Sequence, residues 1–176
     1  MTAPTAADAD QGVYFDTEDY ATFWQRTLIL GIDGFVVAVA FVLLVPLEFP
    51  PHPDAETWLL GWLGLTVLYL AVAEAFVGTL GFLVTGMRIV NLRGERPSVW
   101  RMLFRLGLWL VGGPFHPLLD LCFLAGDPHR QTVRDKLAGT YVVHREATPA
   151  GTGKIRAAQL MILCWSLYCP EVRRAK

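Results

Sequence analysis

The chain has 176 residues, of which 53% are hydrophobic and 18% are charged, and its formal net charge is −1. Soluble domains are roughly 25% charged, and the mean hydropathy here is +0.40, so composition favours one compact membrane-embedded unit over a soluble domain. The three cysteines form neither a CxxC pair nor an even framework, which argues against a disulfide scaffold and a zinc site.

The first 20 residues contain five acids and no Lys or Arg. Rich in small and polar residues, this stretch predicts a disordered acidic N-terminal tail. The first 25 residues also lack the basic and apolar regions of a signal peptide. Membrane insertion is therefore expected to begin at an internal span.

The first predicted span covers residues 28–47, about the length of a bilayer core, and it contains Asp33. A carboxylate at that depth costs ~2.5–3.5 kcal/mol even on the lenient insertion scale, so it needs a partner, a proton or water. Arg26 lies two helical turns earlier on the same face. Asp33 is therefore either a structural carboxylate or a proton or cation site.

The second predicted span runs over residues 58–87 and carries Glu74 as its one charged residue. Helical rise places Asp33 and Glu74 within ~6 Å of each other in depth. The two carboxylates are therefore a candidate shared site with coupled pKa values. Alternatively, Glu74 faces away and pairs with Arg105 or stays protonated.

Residues 87–97 predict a short strand, a turn and a proline stop. The apolar segment 102–125 follows, and it is broken by the sequence GGP at residues 112–114 and by Pro117. Each unbroken half is too short to span a bilayer. The segment is therefore either a re-entrant hairpin, which we favour, or a kinked span.

Charge predicts the topology, because positive charges mark cytoplasmic segments. The loop between the two spans has no Lys or Arg, whereas residues 88–105 carry five arginines. We therefore expect a multi-pass protein of the cell membrane with a cytoplasmic N-terminus and, if segment 102–125 is a hairpin, a cytoplasmic C-terminus. Residues 88–90 and 141–143 would then pair as strands at the cytoplasmic surface.

The C-terminal residues 147–176 are predicted to form a linker and a short apolar helix at 157–169, which is below spanning length. Three regions follow: the tail over residues 1–20, a membrane domain over 21–146 and this C-terminal region. The predicted class is an all-α integral membrane protein with two transmembrane helices, a third broken segment and a small cytoplasmic strand pair.

No pattern in the sequence indicates an enzyme, a phosphate-binding loop or a cofactor site. His116 and Asp120 are four residues apart, but two ligands are too few for a metal site, and none is predicted. The arginines lack a nucleic-acid-binding module, so we expect membrane lipid as their counterpart and no nucleic acid. A second copy or another membrane protein is the further expected partner.

The charged residues lie in motifs that resemble the RDD family of small membrane proteins. The sequence FWQR at residues 23–26, followed by Asp33, is similar to the start of the family's first helix. The sequence VGTLGFLVTGMRIV at 77–90 resembles its G-x-T-L-G-K-x-x-x-G-x-R-V-V pattern, with Phe82 in place of the usual Lys. GERPS at 94–98 is similar to G-x-x-P-S.

Two further matches complete the resemblance, which covers about residues 21–144. Arg105 corresponds to the family's arginine, and RQTVRDKLAGTYVV at 130–143 is similar to Q-x-x-x-D-x-x-A-G-T-x-V-V, which makes Asp135 the second Asp. The resemblance implies a polytopic membrane domain in which transport is suspected. Some relatives are reported as cation/proton antiporters, and others look like assembly scaffolds.

We therefore expect membrane transport of a small cation coupled to protons, with Asp33 and Glu74 as the exchanging carboxylates. Arg26 and Arg105 would tune their pKa values, and Asp135 would pin the cytoplasmic arginine segment by a salt bridge. Two spans are few for a transporter, so an oligomer would have to enclose the path. The alternative is a non-transporting scaffold or assembly factor whose glycine-lined faces bind partner helices.

Overall fold

The computed structural model describes residues 11–44, 55–112, 120, 122–124, 126–162 and 165–174. Long apolar helices dominate the first half of the chain, and strands dominate its C-terminal third. In chain order the elements are β1 Gln11–Tyr14, α1 Phe23–Leu44, α2 Ala55–Val67, a π-helical segment Leu68–Ala73, α3 Glu74–Phe76, α4 Leu80–Thr85, β2 Met87–Asn91, α5 Val99–Gly112, α6 Val133–Ala138, β3 Thr140–His144, β4 Gly151–Ile162 and β5 Trp165–Arg174.

Two helical stretches are long and apolar enough to cross a membrane, Phe23–Leu43 and Glu56–Phe76. They correspond to the two predicted spans. In each stretch 11% of the apolar window is buried inside the protein, and Phe35 and Leu60 are 70% and 60% exposed. Apolar surface of this extent needs an apolar surrounding, so both helices suit a bilayer.

The second long helix is irregular towards its C-terminal end. The π-helical segment Leu68–Ala73 precedes α3, and the helix ends at Phe76. Gly78 then adopts a φ of +96°, in the left-handed region that favours glycine, and the chain re-forms a helix as α4. Such π segments are frequent at functional sites. The break directs the first backbone N–H groups of α4 towards α1.

The smaller sheet pairs β2 with β3, which confirms the predicted strand pair. Its antiparallel register sets Arg88 opposite Val143. Tyr20, just before α1, adds an isolated bridge to Val143. Because β2 follows α4 and β3 follows α6, this sheet gathers the start of α1, the end of α4 and the end of α6.

The broken segment 102–125 is described in part. Its first half lies in α5, and residues 120, 122–124 and 126 are also helical. The GGP break, Pro117 and His116 fall largely or wholly in residues 113–119, outside the described part of the chain. The choice between a hairpin and a kinked span therefore remains a prediction.

The prediction of an all-α protein is wrong, because about a quarter of the described residues form strands in two antiparallel sheets. The larger sheet has the order β1-β4-β5. The prediction of a C-terminal helix at 157–169 is also wrong. The described residues of this range lie in the antiparallel hairpin of β4 and β5, with Leu160 opposite Leu167. Leu160 and Cys169 pack against Val133 of α6. A short apolar run suits a buried strand as well as a helix, and this packing decides between them.

The predicted disordered tail over residues 1–20 is also corrected in its second half. Residues 1–10 lie outside the described ranges, but Gln11–Tyr14 forms β1 and pairs with β4. Phe15 and Tyr20 are each 1% exposed and pack with Tyr141. The acids Asp16, Glu18 and Asp19 lie between the aromatic residues Phe15 and Tyr20, and burial of these aromatic residues orders the chain.

Two tyrosines in this aromatic cluster differ in their hydrogen bonding. The Tyr20 hydroxyl accepts from the Phe15 N–H at 3.0 Å and lies 3.0 Å from His129 Nδ1. The Tyr141 hydroxyl is buried without a hydrogen-bond partner among the described residues, and burial raises the pKa of Tyr141 above its usual range. An unpartnered buried hydroxyl lowers stability.

We predict that Tyr141→Phe leaves the free energy of unfolding unchanged or raises it by about 1 kcal/mol, because the unpaired hydroxyl is removed. The matched variant Tyr20→Phe should lower the free energy of unfolding by about 1–3 kcal/mol, because the contacts of the Tyr20 hydroxyl with the buried Phe15 N–H and with His129 Nδ1 are removed. Thermal unfolding of both variants in detergent checks this, and a larger loss for Tyr141→Phe than for Tyr20→Phe would contradict it.

Candidate functional site

Asp33 lies in α1, is 5% exposed, and accepts three hydrogen bonds from the neighbouring helix break. The Tyr69 hydroxyl donates to its Oδ1 at 2.9 Å, and the Gly81 N–H donates to the same oxygen at 2.8 Å. The Thr79 hydroxyl donates to Oδ2 at 2.5 Å. Hydrogen bonds to a charged group contribute ~1.5–3 kcal/mol each, so together they offset the burial of this carboxylate.

The same contacts cap the start of α4. The first N–H groups of a helix have no partner within it, and here Asp33 accepts from Gly81 while the Tyr69 hydroxyl accepts from the Leu80 N–H at 2.9 Å. Position 81 has no room for a side chain. An added Cβ would lie 2.7 Å from the Ile29 carbonyl oxygen and 2.9 Å from Asp33 Oδ2. Asp33 therefore fastens α1 to α4 at close range.

Asp135 in α6 is 0% exposed and lies between arginines from two other helices. Arg26 Nη1 lies 2.7 Å from Oδ2, and Arg105 Nη2 lies 3.0 Å from Oδ1. Asp135 also forms a capping box with Thr132, in which each residue's side chain accepts from the other's N–H. We call Asp135, Arg26 and Arg105 the Asp135 clasp, because together they join α1, α5 and α6.

Each arginine of the clasp has a further acceptor. Arg26 Nη2 donates to the Arg130 carbonyl oxygen at 2.8 Å, and Arg105 Nη1 donates to Thr140 Oγ1 at 3.3 Å. These bonds extend the clasp to the loop before α6 and to β3. Buried guanidinium groups need such satisfied geometry, since desolvation otherwise outweighs the Coulomb attraction.

The pKa of Asp135 is set by opposing effects. Burial raises it, but the positive charges of Arg105, Arg26 and Arg134, with the Thr132 N–H bond, outweigh burial. The pKa of Asp135 therefore lies well below its ordinary value of 3.8. The clasp remains charged at neutral pH.

A cavity of about 280 Å³ opens between α1, the second long helix and α5. Its charged lining consists of the acids Asp33 and Glu74 and the bases Arg26, Arg105 and Arg134. Arg26 and Arg105 are paired with Asp135, and Asp33 is satisfied by neutral donors. In the described part of the chain, Glu74 forms no ion pair and no side-chain hydrogen bond.

Arg134 is the third base of the cavity, and its Nε lies 3.5 Å from Asp120 Oδ2. Trp62 and Trp109 also line the cavity. The indole N–H of Trp62 is buried and has no hydrogen-bond partner among the described residues. Among the described residues, the Glu74 carboxylate and the Trp62 indole N–H are therefore available to bind a small polar ligand, here called the guest, in this cavity.

Four of the five predicted site residues line this cavity, and the fifth, Asp135, contacts two of them, Arg26 and Arg105. Their pairing differs from the prediction. Arg26 pairs with Asp135 and not with Asp33, although Arg26 and Asp33 share a helix. Arg105 also pairs with Asp135, while Glu74 and Asp33 line the same cavity. In the described ranges, no group of three or more His, Cys, Asp or Glu is placed to hold a metal ion.

Sequence reasoning missed Tyr69, Thr79, Gly81 and Arg134. Thr79 and Gly81 lie in the quoted VGTLG motif at residues 77–81. A hydroxyl and a glycine near the end of the second predicted span are the signal for a helix break that a carboxylate can cap. Tyr69 gives no such signal, because a tyrosine within an apolar helix usually packs against its neighbours without a role for its hydroxyl that the sequence could reveal.

The fold and the site together define a membrane protein whose apolar helices meet around a buried set of arginines and carboxylates. The model of the RDD family matches residues 20–139, and the chain belongs to that family. It is also similar to the uncharacterized protein YxaI of Bacillus subtilis (strain 168), with 26% identity over 152 residues that cover 73% of this chain and 99% of the relative. No solved structure matches the chain.

We predict that Asp135→Asn lowers the free energy of unfolding at pH 7 by about 3–5 kcal/mol, because two buried guanidinium groups lose their counter-charge. A carboxyl whose pKa is depressed on folding stabilises the protein above its unfolded pKa, and this stability is lost as pH falls towards the folded pKa. Wild-type stability should therefore decline below about pH 4, and the decline should be shallower in Asp135→Asn.

Unfolding in detergent micelles across this pH range provides the measurement, with Asp16→Asn as an exposed control. Equal stability of Asp135→Asn and Asp16→Asn at pH 7 would rule out the clasp as a stabilising group.

We predict that Gly81→Ala lowers the free energy of unfolding by about 1–3 kcal/mol, because the methyl group separates α4 from α1. Gly64→Ala is the matched control, since a Cβ at Gly64 meets no heavy atom within 4 Å. The control should be neutral or slightly stabilising. Comparable melting temperatures for the two variants would show that α1 and α4 are not in this close contact.

Proposed function

We propose that the protein exchanges a small cation for protons across the membrane, with Glu74 as the exchanging carboxylate. The observation that carries this proposal is the position of Glu74 on a cavity within the helix bundle, without an ion-pair partner among the described residues. Ionisable residues at membrane depth that face a cavity are typical of ion and proton pathways.

Charge balance supports a guest of one positive charge. Counted over the described residues, three arginines line the cavity, and Asp135 and Asp120 form ion pairs with them from behind. Adding Asp33 and Glu74 gives four carboxylates against three guanidinium groups, a net charge of −1. One proton or one monovalent cation neutralises this charge, and both compete for the same oxygen atoms.

The two carboxylates then have different roles. Asp33 accepts from Tyr69, Thr79 and Gly81, so it holds the helix break in place and keeps its negative charge next to the guest. Glu74 lies one residue after the π-helical segment and binds the proton or the cation. Arg105 belongs to the clasp and also lines the cavity, so it repels a second cation.

The proposed topology places the Asp135 clasp and the small sheet at the cytoplasmic side. The basic residues 88–105 support this orientation through the positive-inside rule, and the joining of α1, β2 and β3 at one end supports a re-entrant segment 102–125. The exposed faces of α1 and α2 would contact lipid and a second copy, since two spans alone do not enclose a path.

A non-transporting scaffold is the second candidate, and a specific observation favours it. A Cβ added at Gly31, Gly61 or Gly64 would meet no heavy atom within 4 Å, and all three glycines are exposed on the outer helix surfaces. Small residues on an outer face allow partner helices to approach closely. On this reading Asp33 and Glu74 only stabilise the bundle.

We predict that a pH gradient drives cation flux in proteoliposomes and that Glu74→Gln reduces it at least tenfold, because the amide cannot exchange a proton. Glu56→Gln is the matched control on the same long helix, since Glu56 is exposed at its N-terminal end, and it should retain flux. Wild-type protein without flux for Na⁺, K⁺ or Li⁺ would favour the scaffold.

A further inference from the structure

A second cavity, of about 510 Å³, lies outside the bundle at the start of α5. It is separate from the cavity that contains Glu74 and shares no lining residue with it. Its polar lining is Asn91, Arg93 and Arg101, and its aromatic lining is Trp100 and Phe104. The remaining lining residues are mostly apolar: Leu92, Leu137, Ala138, Gly139, Ile155 and Pro170.

The two arginines give this cavity its charge. Arg93 and Arg101 are both exposed, and they reach the cavity from the turn after β2 and from the first turn of α5. None of the lining residues is acidic. Two guanidinium groups on one cavity wall suit an anionic group with several acceptor oxygen atoms, and phosphate is the common one.

The turn that carries Arg93 is well ordered. The Asn91 side-chain oxygen accepts from the Arg93 N–H at 2.8 Å and from the Glu95 N–H at 3.0 Å. Glu95 belongs to the same turn, and its carboxylate accepts from Asn91 Nδ2 at 3.2 Å. The backbone at Arg93 is therefore held in place before any ligand binds.

The aromatic residues place the cavity at the level of lipid headgroups. Trp100 is 80% exposed and Phe104 is 51% exposed, and both lie on α5 next to Arg101. Tryptophan favours the boundary between the membrane and water. Further along α5, Leu110 and Val111 are also exposed, so the helix passes from a basic, aromatic start to an apolar surface.

We propose that this cavity binds the phosphate of an anionic phospholipid headgroup. Arg93 and Arg101 contact the phosphate oxygen atoms, Trp100 and Phe104 contact the glycerol region and the first acyl carbons, and the apolar floor excludes water. The arginines recognise any phosphate, but the exposed aromatic residues favour one that carries an acyl chain. The site is independent of the exchange proposed for Glu74.

The experiment measures thermal unfolding of the purified full chain in detergent micelles while short-chain phosphatidylglycerol is added. Phosphatidylcholine of the same chain length and inorganic phosphate are added in parallel titrations. We expect phosphatidylglycerol alone to raise the melting temperature of the wild type. A basic residue near a membrane surface contributes ~1 kcal/mol to anionic-lipid binding, so Arg93→Gln and Arg101→Gln should each weaken the apparent affinity about fivefold.

Arg156→Gln is the charge-matched control. Arg156 is exposed on β4 and does not line this cavity, although its neighbour Ile155 does. Unchanged lipid affinity in this variant, with weaker affinity in Arg93→Gln and Arg101→Gln, would support the proposal. Three outcomes would overturn it: equal affinity in all four proteins, equal stabilisation by phosphatidylcholine, or equal stabilisation by inorganic phosphate. The melting temperatures before lipid is added show whether each variant is folded.

Discussion

A buried carboxylate needs a counter-charge or several hydrogen-bond donors, and the ion pairs of Asp135 organise much of this protein. Its two oxygen atoms contact Arg26 from the start of α1 and Arg105 from α5, so one side chain sets how three helices meet. Removing one partner from such a group leaves an uncompensated buried charge, which costs more than the intact pair contributes. The main effect of the intact clasp is therefore to fix the relative positions of α1, α5 and α6, and its net contribution to the free energy of unfolding is secondary.

The clasp also determines what remains for function. Asp135 and Asp120 carry two negative charges against the three positive charges of the cavity arginines. Within the described residues, one of the two negative charges of Asp33 and Glu74 is therefore left uncompensated. Asp33 is held by neutral donors at the helix break, which leaves Glu74 as the acid that faces the cavity unpaired. The two carboxylates therefore differ: Asp33 joins α1 to α4 through its hydrogen bonds, whereas Glu74 faces the cavity without an ion-pair partner among the described residues.

The sequence predicts some of this arrangement because its signals are local. Apolar length reveals both spans, and β-prone residues at 88–90 and 141–143 indicate the strands that pair as β2 and β3. The hairpin of β4 and β5 is not predictable in this way, since the run 157–169 is apolar without a clear period and its form depends on packing against Val133. The partner of Arg26 is equally non-local: it lies 109 residues away.

Proton release on cation binding tests the central claim, that the cavity holds one uncompensated negative charge shared by a proton and a cation. Purified protein in weakly buffered detergent solution near neutral pH would be titrated with NaCl, KCl and LiCl while a pH-sensitive dye reports released protons. The account predicts up to one proton released for each bound cation, and no release from Glu74→Gln. Cation binding without proton release, or equal release from wild type and Glu74→Gln, would contradict it.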